Sequence, residues 1–218
     1  MANLNLATEL VASLPTGYPG LFNPWRDECP GDTEHNGPQE RLCRLAQHLS
    51  CAPEFLVVGE ASGYLGMRRS AIAFTSERLL LSGSVPRVSV PPGRLTTRRL
   101  PYSEPSATIV WRSLKAAGIE EHTVLWNALP MHPYKADNFE SNRTPTDEEL
   151  QLGVDALRIL ASSFPRAKLV AVGRKAEHLI GTMGLTVHAQ IRHPANGGAN
   201  AFLQGLLGLQ ATRTRNER

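Results

Sequence analysis

Three polar residues stand where apolar runs end, and each is of a type that can do chemistry. Glu60 closes FLVVGE, residues 55–60. A lone carboxylate at the end of a buried strand must be solvated, paired or functional, because burying it unpaired is costly. Asn127 lies near the end of TVLWNALP, 123–130. An amide both donates and accepts hydrogen bonds, so it can cap a loop or read the edge of a planar base. His193 closes TVHAQIRHP and precedes Pro194, which restricts its backbone. Gly197 and Gly198 follow it and permit a close-fitting loop, so this histidine serves either a turn or a site. GEASGYLG, 59–66, contains neither GxGxxG nor GxxxxGK[ST] and is no nucleotide-phosphate loop. His132 and His193 could supply two metal ligands, but no third has recognisable spacing.

Those residues need elements to position them. The runs at 55–60, 123–130, 167–173 and 186–194 read as buried strands. Apolar spacing predicts helices near 41–49, 75–81, 103–119, 144–164, 174–184 and 200–209. Thr146 caps one of them ahead of an acidic first turn, and Gly118 ends another. Residues 1–36 are dense in Pro and Gly and read as an irregular lead-in; 210–218 read as a frayed tail. The alternation predicts one domain over 1–218: a three-layer α/β/α sandwich on a mainly parallel four-stranded sheet. In such sheets ligands bind beyond the carboxyl ends of the strands, where Glu60, Asn127 and His193 stand.

Composition narrows the partners. The chain has 218 residues, 41% hydrophobic and 20% charged, which excludes a disordered chain. No apolar run approaches the ~20 residues of a membrane-spanning helix. The N-terminus has no basic region and carries Glu9 early, so the cytoplasm is expected. The net charge is +3. Between Glu77 and Glu104 there is no acid, while Arg78, Arg87, Arg94, Arg98 and Arg99 fall there. Such a loop either contacts phosphates or is simply solvated. Cys29, Cys43 and Cys51 form no CxxC pair and cannot alone hold a four-cysteine iron–sulfur cluster. They are expected as reduced thiols, buried or half-buried, with no metal or cofactor.

Taken together, the blocks resemble the uracil-DNA glycosylase superfamily over roughly Asn23 to Phe202. NPWRDECPGD and QERLCRLAQHL resemble the lead-in of a bacterial branch. GEASGYLGMRRSAIAFTSE resembles GEAPGxxGxxxxGIPFTSE. WNALPMHP and the later NRTP match the same branch, and AKLVAVGRKAEHLI and RHPANGGANAF match its last two blocks. The resemblance implies a monofunctional DNA glycosylase that flips a base and hydrolyses its N-glycosidic bond. Phe74 then matches the aromatic platform, Asn127 the amide that reads the base edge, and His193 the neutral donor to a carbonyl oxygen of the departing base. Backbone N–H groups of Ala61, Ser62, Gly63 and Tyr64 add donors. The implied partner is DNA, contacted by Arg94, Arg98, Arg99, Arg143, Arg192, Asn196, Gly197 and Gly198, with the protein acting as a monomer.

Departures from the family pattern shape the expectation. Ala61 replaces the Asp or Asn that positions water in classical members, although thermophilic members share this alanine. Glu60 is then the residue expected to orient water or stabilise the sugar cation. Iron–sulfur ligands of the thermophilic branch have no counterparts. Ser62, Ala71 and Ala73 replace a Pro, a Gly and a Pro of the motif, and RHPANGG lacks a bulky wedge. Gly63 replaces the Tyr that blocks pyrimidine C5 in strict uracil enzymes. The resemblance therefore implies uracil as the conservative substrate, and tolerance of C5-substituted pyrimidines, including hydroxymethylated or glucosylated phage bases removed in antiviral defence. Two other classes remain open: a non-catalytic DNA-binding module, motivated by Ala61, and a glycosidase of free nucleosides or nucleotides, against which the arginine loop argues. No lysine stands out as a Schiff-base nucleophile, so lyase activity is not expected.

Overall fold

The computed structural model describes residues 3–216. Its first half contains α1 (Leu4–Ala12), β1 (Leu21–Phe22), α2 (Pro38–His48), β2 (Phe55–Ala61), α3 (Met67–Ser70), α4 (Glu77–Leu81) and α5 (Pro105–Ala117). Then come β3 (Thr123–Leu129), β4 (His132–Pro133), α6 (Asp147–Gln151), α7 (Val154–Ser163), β5 (Lys168–Val172), α8 (Arg174–Thr182), β6 (Ala189–Ile191) and α9 (Ala199–Asn216). The central sheet has the order β3-β2-β5-β6, with every pair parallel. This is the α/β/α architecture with a four-stranded parallel sheet that the alternation predicts.

The inner strands β2 and β5 and the edge strand β3 are apolar along most of their length because helices cover both faces, whereas β6 buries only Ile191. Phe55 to Val58 and all of β3 are buried. Helices α1, α2 and α7 pack together, and α5 packs on α9. Thr146 makes a full capping box with Glu149, and Gly118 ends α5 in the left-handed conformation, as their residue types predict. The chain leaves β2 for β3 on one side and reaches β5 on the other. The crevice between the carboxyl ends of β2 and β5 is therefore the place where a ligand is expected.

Three boundaries differ from the sequence reading. The lead-in is not irregular throughout, because α1 buries Leu6, Ala7, Leu10 and Val11, an i, i+1, i+4, i+5 stripe. The expected helix at 144–164 is two, α6 and α7, broken where Gly153 lies against the Ala128 carbonyl. The last helix continues to Asn216 where a frayed tail is expected; residues 217 and 218 lie outside the described residues.

A seam of buried arginines ties the lead-in to the loops around the crevice. Arg41 donates to the Asp27 carbonyl and pairs with Asp32 at 3.2 Å. Arg69 donates to Cys29 Sγ at 2.7 Å. Arg68 lies over the Phe22 ring and donates to the Phe139 carbonyl at 2.6 Å. Strand β1 pairs with β4, so the lead-in also grips the loop after β3. Cys29 is buried and Cys51 half-buried, whereas Cys43 is exposed on the outer face of α2, contrary to expectation.

Candidate active site

A cavity of about 760 Å³ opens at the carboxyl ends of the strands. Glu60 to Gly63 line it from β2 and the following loop, Asn127 from β3, Val172 to Lys175 from β5 and α8, and His193 and Asn196 from the loop after β6. Phe74 and Glu104 complete the wall, with Asn142 to Pro145 on the loop before α6.

Phe74, Asn127 and His193 come together as the sequence reading expects. Gly59 and Asn127 are partners in the β2–β3 register and so share one face. A Cβ at Gly59 would lie 2.5 Å from Asn127 Oδ1 and 2.5 Å from Phe74 Cζ. Only glycine lets ring and amide approach the strand so closely. Phe74 holds a positive φ of 50°, a conformation rare for an aromatic residue and one that sets its ring beside His193, 6.0 Å between centroids. Asn127 is 2% exposed, and its side chain has one hydrogen bond, from Nδ2 to Met67 Sδ at 3.1 Å. Sulfur is a weak acceptor, so the amide keeps most of its bonding capacity for a ligand.

The geometry also sets the state of His193. The Ala195 N–H donates to Nδ1 at 3.1 Å, which assigns the ring proton to Nε2. Burial pushes its pKa below the ordinary imidazole value, against an opposing pull from Glu60. The ring is therefore a neutral donor at physiological pH. The loop that holds it is tight: a Cβ at Gly198 would lie 2.1 Å from the His193 carbonyl oxygen. His132 does not join it. That ring is buried between Arg68 and the Ser141 carbonyl, and burial with Arg68 lowers its pKa to about 3. Among the described residues no three His, Cys, Asp or Glu side chains converge on a metal-binding arrangement.

Other expected contacts are placed differently. Ala61, Ser62 and Gly63 line the cavity, but Tyr64 does not, and its N–H is taken by Asn142 Oδ1 at 3.0 Å. Arg94 is held at 2.8 Å by the buried Glu77 and donates to the carbonyls of Arg98 and Arg99. Arg143 lines the cavity, yet its guanidinium is bound by both oxygens of Glu149, at 2.7 and 2.6 Å. Arg87 is likewise spent on the carbonyls of His48, Glu120, Glu121 and Thr123. Arg98, Arg99 and Arg192 are exposed.

Two cavity residues escape the sequence reading. Lys175 stands 3.2 Å from Glu60, so a lysine does reach the cavity, held there as an ion pair with a carboxylate and not as the free amine a Schiff base needs. Its signal was its place: it follows β5 as Glu60 ends β2, in the adjacent strand. Ser103 or Glu104 is the residue expected from its type to cap the helix at 103–119, but Glu104 makes no cap with its side chain and lines the cavity instead.

The family model of the uracil DNA glycosylase superfamily matches residues 48–206. Among solved structures, the crystal structure of wild-type Pedobacter heparinus SMUG2 is similar, with a TM-score of 0.66 at 14% identity over 100% of both chains. That likeness speaks for the fold. No curated protein matches.

Proposed function

The chain belongs to the uracil DNA glycosylase superfamily, and we propose that it is a monofunctional DNA glycosylase acting on uracil or a C5-modified pyrimidine. The observation that carries this reading is the convergence of an aromatic ring, an under-bonded amide and a neutral imidazole on one cavity, packed around Gly59. A base extruded from the helix would stack on Phe74 and present its polar edge to Asn127. The bond between C1′ and the base nitrogen then breaks, and its electron pair leaves with the base. The His193 Nε2–H stabilises the charge that develops on the base carbonyl oxygen. Water adds to C1′ and loses a proton. Glu60, half-exposed and paired with Lys175, is the carboxylate placed to orient that water or face the sugar cation.

DNA would be held by Arg98, Arg99 and Arg192, with Asn196 at the cavity, Gly197 exposed beside it and Arg174 added from the start of α8; Gly198, expected among these contacts, is buried against the His193 carbonyl and shapes the loop instead. Arg94 and Arg143 shape the walls. At Gly63 a Cβ would meet Glu104 and Asn142 only at ordinary contact distance, 3.6 to 3.8 Å, and the lack of a side chain there supports C5-substituted bases as substrates, of which hypermodified phage DNA, attacked in antiviral defence, is the natural source of the bulkiest.

The test is incubation with oligonucleotides bearing uracil and 5-substituted pyrimidines, followed by alkaline cleavage at abasic sites. The wild type is expected to yield abasic product from at least one of them. A Gly63→Tyr variant is expected to lose the 5-substituted substrates selectively. No abasic product from any substrate would sink the enzyme reading.

A further inference from the structure

Arg143 and Lys175 both line the cavity, held by partners of very different strength. Arg143 is gripped by both oxygens of Glu149, whose side chain is 8% exposed. Lys175 meets Glu60 through a single contact, Nζ to Oε1 at 3.2 Å, and the two side chains are 42% and 40% exposed. The sheet register explains the meeting. Val58 pairs with Ala171 across β2 and β5, which brings Glu60 and Gly173 to the same level, and Lys175 follows in the first turn of α8. That turn disfavours a cation, because the helix dipole is positive there, and Arg174 adds a second cation beside it. An ion pair so open to water is weak and easily exchanged. Lysine also suits exchange, being a point charge on a flexible stem without the rigid fork that locks Arg143.

We propose that Lys175 is a specificity-determining residue that ties the charge of Glu60 to the presence of a nucleic-acid backbone: when DNA binds, Lys175 leaves Glu60 for the phosphate beside the target nucleotide, and the carboxylate then faces the sugar alone. The proposal rests on the glycosylase reading and deepens it, by making the charged backbone part of what the site recognises. Each deoxyribose in DNA carries a phosphate on either side, so a base seated against Phe74 and Asn127 brings those anions to the cavity together with its C1′. As the bond to the base breaks, positive charge grows on the sugar, and a nearby carboxylate stabilises it. An ammonium paired with that carboxylate offsets much of the effect at the same short range. Neutralising a phosphate releases counterions from the DNA, which favours the new pair over the old one. A free nucleoside brings no phosphate and leaves Lys175 on Glu60. The exchange therefore disfavours hydrolysis of free nucleosides, one of the activities left open by the sequence.

The experiment is single-turnover base release by the full chain, at saturating protein, from one single-stranded oligonucleotide carrying uracil or whichever 5-substituted pyrimidine the wild type releases. The phosphates on either side of that nucleotide are native in one version and neutral methylphosphonates in the other. The wild type is expected to slow at least ten-fold on the neutral version. Lys175→Met, with no ammonium on Glu60, is expected to differ by less than about three-fold between the two and to outpace the wild type on the neutral one. A variant that merely folds less well cannot be faster, so the gain separates the exchange from a structural role. In a Glu60→Gln background the same Lys175→Met change is expected to bring no gain. Equal wild-type rates on both versions, or a Lys175→Met variant that slows between them as much as the wild type, would overturn the exchange and leave the glycosylase reading standing. Release of no base by the wild type from any oligonucleotide would overturn both.

Discussion

Glu77 is a fully buried carboxyl beneath the basic loop and Glu104 a half-buried one on the cavity wall, and their surroundings drive them apart. Burial pushes the Glu77 carboxyl up, but Arg94, the Tyr102 N–H and the Thr96 hydroxyl outweigh it, and the group is held below its ordinary value. The Leu95 and Thr96 N–H groups also donate to it. Glu104 has burial and nothing to oppose it, and rises to about 7. A looser form of the contrast separates the seam from the cavity, since the Nε atoms of Arg41, Arg68 and Arg69 are buried without a hydrogen-bond partner among the described residues. In the seam Arg68, Arg69 and Arg41 are bonded to sulfur, carbonyls and carboxylate. In the cavity Asn127 has one weak partner, and the His193 Nε2–H is kept free of the Nδ1 bond. Partnered groups stabilise loops; under-partnered groups are held ready for a ligand.

Glu77→Ala should break the first side hardest. It strands Arg94 and three buried backbone N–H groups, with an expected loss of about 3–5 kcal/mol of stability in urea unfolding. His193→Ala should do the reverse: about 10²–10³-fold slower base release, near the loss of one oxyanion donor, with unfolding midpoints moved little. A variant that lost stability and activity together would erase the contrast.

Glu104→Gln sharpens it through pH. The folded state holds the Glu104 proton up to about 7, the unfolded state only to about the ordinary carboxyl value of 4.5. Between those values the folded state binds more protons, so this group's contribution to stability falls as pH rises. The variant should therefore gain on the order of 2 kcal/mol over the wild type above pH 7 and little below pH 4.5, as read from thermal melts across pH.

The smallest effect belongs to the exposed arginines. Arg98→Ala and Arg99→Ala should each reduce the salt slope of DNA binding by about one, with stability unchanged, whereas Arg94→Ala should destabilise the loop through Glu77. A DNA affinity insensitive to salt would contradict the DNA-contacting role of that surface.

The strands were legible because a sheet covered on both faces demands unbroken apolar runs, and Phe55–Val58 and Val124–Trp126 supply them. Asn127 and His193 were legible for the same reason, as polar residues where such runs end. Helix α1 was missed because its stripe is followed at once by the Pro and Gly from residue 15 onward, which drew the whole segment into one reading. The fate of Arg94 and Arg143 was hidden because charge counting says nothing about a carboxylate 17 or 6 residues away that folds against them. Glu104 was hidden by its position, since a polar residue before a helix normally caps it.

The central claim is that the cavity releases a base from DNA. Mass spectrometry of free bases, after incubating the wild type and His193→Ala with uracil-containing DNA and with modified phage genomes, tests it most directly. The account predicts a free pyrimidine from at least one DNA with the wild type and a release at least a hundred-fold slower with the variant. Tight binding to every DNA with no base released, or equal release by both proteins, would contradict it.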